Sequence, residues 1–130
     1  MFPEITAIYT ALLGLMMVVL SLLVVRQRFR QRVSLMDGGK PVVRQAMRIH
    51  GNFSEYVPLA LALIALVELG GAVVWLVHVL GGGLLAGRLL HATGLKATRG
   101  PTLGRMSGML LTYSVFAISS VWLIWTIVTG

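Results

Sequence analysis

Residues 5–32 read ITAIYTALLGLMMVVLSLLVVRQRFRQR. The first part, Ile5 to Val25, is almost continuously apolar and carries no charge, close to the length a helix needs to cross a bilayer. The second part sets Arg26, Arg28, Arg30 and Arg32 directly behind it. A secretory signal has the opposite order, cations before the apolar run and a small-residue cleavage site after it. Neither feature is present, so the segment is expected to stay as a mature membrane helix.

The rest of the chain repeats this pattern. Of its 130 residues, 57% are hydrophobic and 12% charged, against roughly 45–50% apolar in a soluble domain. A fold this short cannot hide that much apolar surface from water. Asp37-Gly38-Gly39-Lys40-Pro41 supplies turn formers after the arginines, Gly70-Gly71 a tight break, and Thr93 to Gly104 a polar loop with Lys96, Arg99 and Pro101. The expected architecture is an all-α integral membrane protein, one domain over residues 1–130. It is a four-transmembrane-helix bundle with spans at about 5–25, 43–69, 72–92 and 105–128. Gly81-Gly82-Gly83 falls inside the third span, where small residues permit close helix contact.

Basic residues set the expected orientation. The first loop and its helix ends hold Arg26, Arg28, Arg30, Arg32, Lys40, Arg44 and Arg48; the third holds Arg88, Lys96, Arg99 and Arg105. The second connection and both termini hold none. The positive-inside rule then places loops one and three in the cytoplasm and both termini outside, in the inner membrane if the cell is bacterial. The same rule accounts for the excess of 11 Lys and Arg over 4 Asp and Glu without invoking nucleic acid. With no cysteine, the chain has no disulfide, no thiolate metal site and no cysteine nucleophile. His50, His78 and His91 lack metal-ligand spacing, so no metal is expected.

Charged side chains within apolar helices are costly and normally face a bundle interior or a ligand. At about 100° per residue, Arg48, Asn52 and Glu55 fall on one stripe of the second helix with Tyr56 beside it. His50 points the other way, toward solvent or a different neighbour. Arg88 and His91 share a face near the end of the third helix, and Arg105 opens the fourth. One reading makes Arg48 and Glu55 hydrogen-bonded glue between helices, and Arg88 and Arg105 interfacial snorkels. The other makes the group a polar ligand site, with cations for an anion and a carboxylate for an ammonium.

The run Arg48-Ile49-His50-Gly51-Asn52-Phe53-Ser54-Glu55-Tyr56-Val57-Pro58 resembles the second-helix motif of MAPEG proteins, the membrane-associated proteins in eicosanoid and glutathione metabolism. The pattern is Arg, Asn four residues on, Glu three further and Pro three after that. The likeness extends over the four spans, the basic first loop and the basic ends of helices three and four, in the manner of the microsomal glutathione transferases. It implies a homotrimer binding glutathione between adjacent subunits near the cytoplasmic face. Arg48, Asn52, Glu55 and Tyr56 would hold the tripeptide from one subunit, Arg26 and His50 would reach it from the next, and Arg88 and His91 would line the pocket.

The resemblance also implies that Arg105 is catalytic, stabilising the glutathione thiolate. An ordinary thiol has a pKa of about 8.5, and lowering it by about 2 units takes about 2.7 kcal/mol. His50 stands where the eicosanoid enzymes carry glutamine, and His91 and Leu95 where members carry tyrosines. The implied activity is a glutathione-dependent transferase or peroxidase acting on hydrophobic electrophiles from the bilayer, with glutathione as co-substrate. The alternative is a non-catalytic protein or scaffold that binds membrane lipids or an anionic metabolite. A proton-coupled cation exporter needs an acid deep in a span. Glu4 and Glu68 lie at span ends and Glu55 sits with Arg48 and Asn52, so this class is disfavoured.

Overall fold

A computed structural model describes residues 1–94 and 102–130. Leu95, Lys96, Arg99 and Pro101, named above for the third loop, lie outside the described residues. Four helices follow in order, α1 (Glu4–Gln31), α2 (Pro41–Leu69), α3 (Val74–Gly94) and α4 (Leu103–Thr129). All four are long and apolar enough to cross a membrane. Among the described residues there is no strand.

The first helix runs further than its apolar stretch. Arg26, Arg28 and Arg30 are helical, and the connection is shortened to Arg32–Lys40. Arginine and glutamine are good helix formers, and Arg28 and Arg30 in the last turn complement the negative end of the helix dipole. Arg32 then turns into the left-handed region (φ 54°), its N–H reaching the Phe29 carbonyl. Pro41 opens α2 at a position where a missing N–H costs nothing. Pro58 lies inside α2, which continues through it. α3 is unbroken across Gly81-Gly82-Gly83.

α2 and α3 form the central pair, each touching the other three helices, while α1 and α4 flank them without meeting. Buried positions recur by threes and fours, as in a helix seam: Phe53, Val57, Ala60, Ile64 and Val67 on α2, Val77, Leu80 and Leu84 on α3. The outer surface is apolar as well, with Leu15, Leu22, Ile124 and Ile127 exposed. In hydrocarbon such a surface is matched to its solvent. Helical serine and threonine hydroxyls turn back on the preceding turn, as Ser21 does to Met17 O (2.9 Å) and Ser114 to Leu110 O (2.9 Å).

Close approach fixes two contacts. A Cβ on Gly108 would lie 2.5 Å from the Gly87 carbonyl oxygen and 2.7 Å from the His91 nitrogen, so α3 and α4 pack backbone to backbone there. A Cβ on Gly81 would lie 2.2 Å from the Tyr9 ring, which lies against α3 and places its hydroxyl 3.1 Å from His78 Nδ1. At the same end, Glu68 at the close of α2 accepts from Ile5 N (2.9 Å), Thr6 N (2.7 Å) and Thr6 Oγ1 (2.6 Å). α1 has no side-chain cap of its own; the α2 carboxylate satisfies its first amides.

Candidate functional site

The polar centre of the bundle is Arg88, 1% exposed and enclosed by three helices. Its guanidinium donates to Asn52 Oδ1 on α2 (2.7 Å) and to Thr112 Oγ1 on α4 (2.6 Å), and one nitrogen lies 3.4 Å from the Met109 sulfur. The Tyr56 ring is 5.8 Å from the guanidinium carbon, within cation–π range. The Tyr56 hydroxyl lies 3.3 Å from that of Tyr113. Thr112 donates in turn to Gly108 O (2.8 Å), so the oxygen that receives Arg88 is itself fixed.

Burying a guanidinium requires partners for its donors. Arg88 finds neutral oxygens and an aromatic face, but Nε has no hydrogen-bond partner, and among the described residues no carboxylate pairs with it. The positive charge therefore persists at the centre of the site. His91, one turn further on and 6% exposed, is within electrostatic reach of Arg88, Arg105 and Arg48. Four of the expected site residues thus gather at the end where α3 closes and α4 opens. Thr102 caps α4 there, accepting from Arg105 N (3.3 Å) and donating to Gly94 O (2.7 Å).

The stripe on α2 is split by burial. Asn52 and Tyr56 turn inward, whereas Arg48 and Glu55 are exposed. The reading of Arg48 and Glu55 as interhelical glue is not met: neither makes a hydrogen bond or ion pair among the described residues, and Arg88 with Asn52 does that work instead. Two long charged side chains at the rim stay solvated, and the guanidinium one layer deeper must find partners. Of the two alternatives its angle on α2 left open, solvent or a different neighbour, His50 takes the second, with Nε2 3.0 Å from Ser21 Oγ on α1. Arg26 is exposed on α1 and is not brought to the Arg88 group within the protomer.

Thr112, Met109 and Tyr113 complete the site and had no signal of charge in the sequence. The only hint was Gly108 with Thr112 one turn later, small and hydroxyl-bearing on one α4 face. Among the described residues no group of three or more His, Cys, Asp or Glu side chains is placed to hold a metal ion. What the arrangement offers is a field of fixed cations, one exposed carboxylate and two phenols.

Residues 6–125 match the MAPEG family. The chain belongs to that family. The chain is also similar to the inner membrane protein YecN of Escherichia coli K12, 44% identical over 90 residues, which are 69% of each chain. YecN from E. coli O6:H1 gives the same identity and coverage. No solved structure matches. The MAPEG motif read at Arg48 to Pro58 therefore sits in a MAPEG protein, and the asparagine of that motif is the one that receives the buried arginine.

Proposed function

We propose that this protein binds glutathione between subunits of a homotrimer and transfers it to hydrophobic electrophiles that enter from the bilayer. The observation that carries the proposal is the gathering of Arg48, Arg88 and Arg105 around His91, with Glu55 at the rim the nearby carboxylate. Glutathione has two carboxylates, one ammonium and one thiol. Arginines suit the carboxylates, Glu55 the ammonium, and a fixed cation the thiolate. Asn52 and Tyr56 orient the tripeptide, with Arg26 and His50 reaching it from the neighbouring subunit and Arg88 and His91 backing the pocket.

In this mechanism the thiol proton leaves to solvent and Arg105 stabilises the sulfur anion. The sulfur then forms a bond to the electrophilic carbon while the leaving group departs with the electron pair of its broken bond. On a hydroperoxide the sulfur attacks oxygen, the O–O bond breaks and the alcohol leaves; a second glutathione closes the disulfide with loss of water. Holding both reactants in one site makes the attack effectively unimolecular. The basic end faces the cytoplasm of a bacterial inner membrane, where glutathione is supplied.

The rival reading is a non-catalytic binder of lipid or an anionic metabolite. It draws on the same cations and on a relative whose name states a membrane location and no activity. Ultraviolet difference spectroscopy of thiolate formation separates the two, using purified protein, Arg105→Ala and Arg48→Ala. A thiolate band in the wild type, lost in Arg105→Ala while glutathione still binds, supports the transferase. Folded wild-type protein that neither binds glutathione nor forms thiolate supports the rival.

A further inference from the structure

The first connection encloses a second cationic feature, separate from the Arg88 group. Where α1 ends, Arg32 enters the left-handed region and Val33 N returns to the Arg28 carbonyl (2.9 Å), folding the chain back on the helix. The fold-back is held from outside, since a Cβ on Gly38 would lie 2.6 Å from Val33. It borders an open cavity of about 580 Å³ lined by Val25, Arg28, Phe29, Arg32, Val33 and Ser34. That volume falls within the range of small-molecule sites.

The lining is amphiphilic. Val25, Phe29 and Val33 make an apolar wall, Arg28 and Arg32 supply cations, and Ser34 a hydroxyl. Arg28 is anchored, donating from Nε to Met36 O (3.2 Å) and from one terminal nitrogen toward the Met47 sulfur (3.8 Å), which leaves its other terminal nitrogen with both donors unspent. Arg32 makes no side-chain hydrogen bond among the described residues. Asp37 is the carboxylate of this loop, and it is already taken by Arg44 and by Gly39 N (3.0 Å). The cations of the cavity are therefore not neutralised by the protein.

Depth identifies the ligand. At 1.5 Å per residue, Arg28 lies about 4.5 Å beyond Val25 along the helix axis and Gln31 about 9 Å. The headgroup layer is about 5–8 Å thick on each side of the hydrocarbon. With Val25 at the edge of the hydrocarbon, Arg28 and Phe29 fall within the headgroup layer, at the level of the phosphates. Phe29, 81% exposed, and the exposed Leu35 and Met36 of the connection that follows suit immersion in that layer and not in water. The guanidinium is the side chain best matched to a phosphodiester. The helix C-terminal dipole opposes an anion here, but its half charge is outweighed by two full cations.

We propose that the fold-back at the end of α1 is a binding site for the headgroup of one anionic phospholipid, with phosphate on Arg28 and Arg32 and an acyl chain along Val25 and Phe29. This does not rest on the glutathione reading and uses different side chains.

The test is native mass spectrometry of the full-length protein in detergent, titrated with short-chain phosphatidylglycerol, with phosphatidylcholine of the same chains, and with glycerol phosphate. Variants are Arg32→Gln, which lines the cavity, and Arg30→Gln, which removes the same charge outside it. The expected result is a phosphatidylglycerol preference that Arg32→Gln weakens about fivefold and Arg30→Gln leaves near the wild-type value, with glutathione binding intact in both. Equal loss in both variants would mean diffuse surface attraction and overturn the site. Equal binding of phosphatidylcholine, or binding of glycerol phosphate as tight as that of the lipid, would overturn it too.

Discussion

The Arg88 guanidinium donates to Asn52 Oδ1 at 2.7 Å across the α2–α3 interface, so the carbonyl oxygen of the motif asparagine is taken by a buried cation. Removing the acceptor while keeping the charge is the costly change. Hydrogen bonds to charged groups are worth about 1.5–3 kcal/mol, and an uncompensated buried charge raises the loss further. Asn52→Leu should therefore destabilise the bundle by about 2–4 kcal/mol. Arg88→Met removes charge and demand together and should cost less. Denaturation in mixed micelles ranks the two; Arg88→Met as the more damaging would show that the cation itself, not its satisfaction, holds the helices.

Glu68 ties the start of α1 to the end of α2 through Ile5 N, Thr6 N and Thr6 Oγ1. Glu68→Ala leaves these donors without partners at the positive end of the helix dipole. Amide exchange at Ile5 and Thr6 should accelerate at least tenfold, the equivalent of about 1.4 kcal/mol of lost protection. Exchange at the α3–α4 contact should not change. Uniform acceleration throughout the protein would assign Glu68 a global role instead of a local cap.

These two contacts mark how far the sequence could be read. Apolar runs disclosed four helices because a bilayer demands about twenty apolar residues per crossing. They could not disclose that α1 continues through Arg26, Arg28 and Arg30, since charge marks the edge of hydrocarbon and not the end of a helix. The angular position of His50 left solvent or a separate neighbour open, and did not point to Ser21. Arg88 was visible as a charge near a span end, while its burial was not, because that depends on Thr112 and Tyr56 arriving from two other helices. Glu68 read as a span terminus. Its partners are backbone amides, which carry no residue-type signal.

Gly108 and Gly14 provide a paired test of packing. A methyl on Gly108 meets the Gly87 carbonyl and His91 backbone, atoms that cannot rotate away, whereas one on Gly14 meets nothing within 4 Å. Gly108→Ala should cost about 1–3 kcal/mol by overpacking. Gly14→Ala should be neutral or stabilising by up to about 1 kcal/mol through helix propensity. Unfolding curves of the two variants give the comparison. Because Arg105 precedes Gly108 by one turn and His91 adjoins it, the proposed function predicts that Gly108→Ala also weakens glutathione binding, an effect absent from Gly14→Ala.

The pH dependence of the first loop follows from Asp37. The Gly39 N–H bond, and after it the Arg44 guanidinium, hold its carboxyl below the ordinary value. A folded pKa lower than the unfolded one stabilises the loop fully above the unfolded value of about 3.9. That contribution disappears as pH falls through the folded value. Protection of the Gly39 amide, corrected for intrinsic exchange, should be flat from neutral pH to about pH 5 and drop only in stronger acid. Asp37→Asn should abolish the drop, because no proton is then taken up. A decline already evident between pH 7 and pH 6 would point to a different titrating group.

Under the proposed function, Arg105 bears the sharpest catalytic expectation. If it acts on the thiolate and not on the peptide, Arg105→Ala should keep glutathione affinity within about threefold while raising the apparent thiol pKa toward about 8.5. A thiol restored from about 6.5 to that value loses most of its anion at pH 7, so turnover at that pH should fall by about 20-fold or more. The loss should shrink as pH is raised past 9, where the free thiol ionises without help. Arg105→Lys retains a charge but not the planar fork, and should recover part of the thiolate band. A turnover deficit that stays constant from pH 7 to pH 9.5 would assign Arg105 to positioning the electrophile, and would leave the anion to Arg48 and Arg88.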